Sequence, residues 1–121
     1  FSFINLQYGN TADEVKVFNN SSKSKIINID NLDLFNDFES IAALLENLDL
    51  FITVSNSTAH LAAALGVPTW IIKPKTHAVF HYWNQPHNTT PWYPSIRLFS
   101  YKDKWSTTIS EIKTALLKKF K

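Results

Sequence analysis

Short, largely apolar runs recur along the chain, separated by segments whose apolar residues return every three or four positions. The runs FSFINL (1–6), KIINI (25–29), LFITV (50–54), TWIIK (69–73) and IRLFS (96–100) predict five strands. Helical spacing predicts four helices, over roughly 11–18, 37–47, 57–65 and 107–120. Asn36 with Glu39, and Thr108 with Glu111, stand at the spacing of a capping box, in which two side chains each satisfy the other's free backbone N–H. Gly66 followed by Pro68 marks the end of the third helix. Strands apolar throughout are those covered on both faces, and their alternation with helices implies right-handed crossovers and parallel pairing. The expected fold class is therefore α/β: a Rossmann-like open parallel sheet of about five strands with helices on both faces, a single domain over 1–121. By analogy with such folds the strand order would be 3-2-1-4-5.

Two connections stand out. NNSSKSK (19–25) reads as a polar surface loop. The stretch 74–96 is far longer than the usual connection and concentrates His, Trp and Pro, so it is expected to pack as an ordered flap.

Composition narrows the function classes. The chain has 121 residues, 45% hydrophobic, enough for one core of ordinary size. A net charge of +2 is too small for a nucleic-acid footprint. Without cysteine there is neither a disulfide framework nor a thiolate metal site, and a cytoplasmic setting is expected. No apolar run approaches the ~20 residues that span a bilayer. An apolar strand pattern begins at Phe1 with no Met before it, so the chain is expected to be a piece of a longer protein.

The stretch SNSTAH (55–60) lies where the third strand ends and the third helix begins. Open parallel sheets bind ligands beyond the C-terminal strand ends, and a helix N-terminus offers free N–H groups and a positive dipole end to phosphate oxygens. Ser55, Asn56, Ser57 and Thr58 could add hydroxyl and amide contacts, and Ala59 lets a ligand approach the backbone. The plainer alternative is that Asn56 or Ser57 only caps the helix. His60 reads equally as a hydrogen-bonded structural residue or as a donor facing anionic oxygens. Gln7, at the end of the first strand, is a polar residue at the same sheet edge. With two glycines in the whole chain, neither a dinucleotide fingerprint nor a P-loop is possible. His77, His81 and His87, in a Pro-rich stretch without carboxylates at suitable spacing, are not expected to form a metal site. Trp92 and Tyr93 between prolines read chiefly as a packed corner.

The run LDLFITVSNSTAHLAAALGVPTWIIKP with PWYPSIRLF resembles the C-terminal domain of heptosyltransferase-like glycosyltransferases of family nine, in the form found behind tetratricopeptide repeats in bacterial proteins. LQYG (6–9), where relatives commonly read LQKG, and DFESIAALLENLDL (37–50) extend the resemblance over nearly the whole chain. It implies one half of a GT-B fold: a donor-binding domain whose facing N-terminal acceptor domain is absent from this chain. The implied reaction is inverting, metal-independent transfer of a sugar from a nucleotide-diphosphate sugar, without a cofactor, to an acceptor hydroxyl. The isolated domain would be inactive. The resemblance places Gln7 and residues 55–60 at the donor diphosphate. Ser55 stands where relatives often have Asp, and Tyr8 where they have Lys. Lys75, or Lys73, just past the fourth strand, would supply a replacement cation. The alternative is a degenerate, non-catalytic Rossmann-like interaction module.

Overall fold

The computed structural model describes residues 1–75 and 80–121. The elements run β1 (Phe3–Ile4), α1 (Ala12–Ser21), β2 (Ile26–Ile27), α2 (Phe38–Glu46), β3 (Phe51–Val54), α3 (Ser57–Ala64), β4 (Thr69–Lys73), β5 (Ile96–Ser100) and α4 (Trp105–Lys119). The architecture is mixed α/β with parallel strands, in two compact units, Phe1–Leu44 and Leu45–Lys121.

In the first unit β1 and β2 form a parallel pair, Phe3 opposite Ile26. Each is only two residues long, because FSFINL and KIINI mix polar residues into the apolar run. Helix α1 extends through Ser21 and so takes in the first half of the stretch expected as a loop. The reason is Asn19, whose side chain accepts from the Ile26 N–H at 2.8 Å and donates to the Ile26 carbonyl at 3.0 Å, tying the helix to β2. Gly9 adopts φ +101, a left-handed turn open to glycine. The capping of α2 is shifted by one residue from expectation: Asp37, not Asn36, accepts from the Ser40 N–H at 3.0 Å.

In the second unit the strands run β3-β4-β5, all parallel, with Ile52 opposite Trp70 and Trp70 opposite Arg97. The expected order 3-2-1-4-5 is thereby corrected. It would separate β3 from β4, whereas the short α3 crossover returns the chain directly beside β3. The five strands fall into a pair and a triplet, each described within its own unit.

Alternate residues of the triplet fill two cores. Ile71, Ile96 and Leu98 pack with Ala59 and Ala63 of α3 and with Trp83, while Trp70 and Phe99 pack with Ile112 of α4. This two-sided cover explains the unbroken apolar character of TWIIK and IRLFS. Alanines at 59, 62 and 63, all buried, let α3 lie close to the sheet. Its end is a Schellman motif: the N–H groups of Gly66 and Val67 reach back to the carbonyls of Ala63 and Ala62, with Gly66 at φ +76. Helix α4 starts earlier than expected, so Thr108 sits inside it and not at its cap. The Thr108 hydroxyl instead accepts from the Lys102 N–H. No helix among the described residues is long and apolar enough to cross a membrane.

Candidate functional site

Strand β3 ends at Val54, and after two intervening residues α3 begins at Ser57. Asn56 is the N-cap: its Oδ1 accepts from the Ala59 N–H at 2.8 Å, while its Nδ2 donates to Thr53 Oγ1 at 3.0 Å. Both ends of the amide are thus engaged, fixing the angle at which the helix leaves the strand. The first-turn N–H groups of Ser57 and Thr58 have no acceptor within the helix. Ser57 is exposed, whereas Thr58 and Ala59 are buried against the sheet. The surface offered to a ligand is therefore Ser55, Ser57 and first-turn backbone, and the Thr58 side chain belongs to the core.

Residues 80–93 of the stretch expected as a flap pack over this helix start, and their anchors are specific. Trp83 is fully buried, and its indole N–H donates to Ser55 Oγ at 2.9 Å. The Ser55 hydroxyl keeps its own proton for another acceptor. Lys73 is buried and donates from Nζ to the Trp83 carbonyl at 3.0 Å and the Gln85 carbonyl at 3.4 Å. Its burial pushes the ammonium pKa down. Lys73 therefore holds the segment down and is not the free cation the sequence offered as one choice. Lys75 is exposed at the edge of the described residues.

His60 faces the same segment. Its Nδ1 lies 3.1 Å from the Tyr93 hydroxyl, and the rings of Phe80, Tyr82, Trp83 and Tyr93 surround it at centroid distances of 4.7 to 5.9 Å. Desolvation in this ring box lowers the imidazole pKa, and His81 adds repulsion. The shift favours the neutral imidazole, which braces α3 against the segment. The PWYP corner divides: Tyr93 packs on the core, while Trp92 is 50% exposed.

Gln7 lies in the first unit, exposed, its backbone N–H bonded to Asn5 Oδ1 at 3.0 Å. The second unit brings together 55–60; Gln7 is described apart from them. His77 lies outside the described residues. The Arg97 guanidinium lies over the rings of Phe99 and Trp70, 4.6 and 5.4 Å from their centroids. Sequence reasoning missed the roles of Trp83, Lys73, Phe80 and Tyr82. Their density in one long connection was visible, but the partner of each was not.

No family model matches the chain, and no solved structure matches it. Among curated proteins the chain is 33% identical over 117 residues to Protein FlbA of Caulobacter vibrioides, a match covering 94% of this chain. The chain spans only 19% of that relative's length.

Proposed function

We propose that this chain is the donor-binding part of a glycosyltransferase resembling family nine, seating the diphosphate of a nucleotide-diphosphate sugar at the start of α3. The observation that carries this reading is the capped helix start itself: Asn56 fixes α3 at the C-terminal end of β3, with Ser55 and Ser57 exposed beside first-turn N–H groups that have no intrahelical acceptor. Such donors, with the helix dipole, would stabilise a departing diphosphate without proton transfer. In this reading the fold is the Rossmann-like half of a GT-B enzyme, cytoplasmic, with the acceptor and the general base supplied by a facing domain, and transfer inverts the sugar carbon. In this reading Lys75, exposed just past β4, would add a charge.

A second reading, a non-catalytic interaction module, is favoured by a different observation. Asn56 is engaged by Thr53 and Ala59, and His60 by Tyr93 and the rings, so both can be understood without any ligand.

Titration of the labelled chain with UDP, ADP, GDP and their monophosphates separates the two. Selective shifts of amides 55–61 with one diphosphate, attenuated in Ser57→Ala, support the donor seat. Uniform silence at millimolar ligand, in this chain and in the longer protein carrying it, would leave the interaction module.

A further inference from the structure

The opposite face of the three-stranded sheet carries a second polar feature, away from α3. Between α4 and the β4–β5 surface runs a groove of about 840 Å³, floored by Trp70 and Arg97 and walled by Ser110, Thr114, Lys118 and Lys119. Its charge is lopsided. Glu111, the acidic residue of the lining, pairs in charge with Lys102 at 2.8 Å, although its buried Oε2 makes no well-aligned hydrogen bond. Arg97, Lys118 and Lys119 have no carboxylate partner among the described residues.

Arg97 is the residue that needs explaining. It stands in the middle of the apolar strand IRLFS, half-buried, directly opposite Trp70 in register. Its guanidinium is held by ring faces, 4.6 Å from Phe99 and 5.4 Å from Trp70, and its Nε is buried without any acceptor. A partly desolvated charge with no counterion is costly, and an aliphatic residue would cover the same rings without that cost. Stacking also orients the guanidinium and leaves its terminal N–H groups unspent on any internal acceptor, the arrangement suited to a carboxylate.

We infer that this groove seats an acidic, extended segment of a partner protein, with one carboxylate on Arg97 and neighbouring acidic side chains toward Lys118 and Lys119. The shape favours a segment over a small anion. Ser110 and Lys119 are nine residues apart on α4, about 14 Å along the axis, which is the span of roughly four extended residues. Ser110 and Thr114 line the wall one helical turn apart; the Thr114 hydroxyl donates to the Ser110 carbonyl and can still accept from a passing backbone, while the Ser110 hydroxyl can donate to it or accept from it. The seat lies on the face opposite the α3 start and does not depend on nucleotide binding there.

The test is titration of the isotope-labelled chain with N-acetylated tetraglutamate, with tetraglutamine and inorganic phosphate as controls at matched ionic strength. The expected result is movement of amides 110–119 and of the Arg97 side-chain Nε resonance with tetraglutamate, weakening as salt rises. Affinity should fall roughly five-fold or more in Arg97→Gln. The double variant Lys118→Ser, Lys119→Ser, exposed at the helix end and harmless to the core, should weaken it comparably. No movement, equal movement with tetraglutamine, or an unchanged affinity in the lysine double variant would each overturn the proposal. Equal response to phosphate would replace the acidic segment by a simple anion.

Discussion

Trp83 donates its indole N–H to Ser55 across 28 positions of sequence, and this bond fastens the long proline-rich connection to the doorstep of α3. The same tryptophan takes a lysine ammonium on its carbonyl, so one residue is gripped at both its side chain and its backbone. Removing only the donor, with Trp83→Phe, should cost about 1 kcal/mol for the lost hydrogen bond, plus a smaller packing loss. Trp83→Ala should cost about 3–5 kcal/mol, as for other buried aromatics. Chemical denaturation measures both; a Trp83→Phe variant as stable as the parent would show that the Ser55 bond contributes nothing separable.

Asn56 sets the exit angle of α3 through two bonds, one to Ala59 and one to Thr53. Asn56→Ala should destabilise by about 1 kcal/mol, the usual worth of such a cap. Asn56→Asp keeps the acceptor and should lose less. An alanine variant as stable as the parent would mean that the helix start is held by its buried flank alone.

His60 gives the fold a pH dependence with a definite sign. Its folded pKa lies below the ordinary value of 6.5, first through desolvation and then through His81, so between the two values the unfolded chain binds more protons. Stability linked to His60 is therefore complete above 6.5 and declines as pH falls through the lower, folded value. Denaturation midpoints between pH 5 and 8 should fall toward acid, and more steeply in the parent than in His60→Gln. Parallel curves would refute the link.

Gly66 closes the Schellman motif at φ +76, and a Cβ there would meet nothing within 4 Å. The cost of Gly66→Ala is thus conformational alone, about 1–2 kcal/mol for a side chain in the left-handed region. Gly66→Asn should recover part of it. Thermal or denaturant unfolding of the two variants gives the comparison directly.

Much of this molecule is written in local chemistry. The apolar runs at 69–73 and 96–100 declare themselves as strands because both faces carry buried side chains, which leaves little room between their ends for polar residues beyond Arg97, while the run at 50–54 goes from a buried Phe51 to an exposed Val54. Asn56 as a cap and Gly66 as a helix terminus are equally legible, since both follow from the geometry of a helix end and not from distant partners. Tertiary structure alone decided what is non-local. Whether β3 lies beside β4 or β2 depends on where a crossover helix returns the chain. Lys73 could have been a free cation, yet burial turned it into a clamp on two carbonyls. His60 could have been an imidazolium, yet four rings around it favour the neutral form. In each case the residue type set the range of roles. The environment assembled from residues 10 to 33 positions away selected one, because desolvation and hydrogen-bond partners are properties of the packed chain.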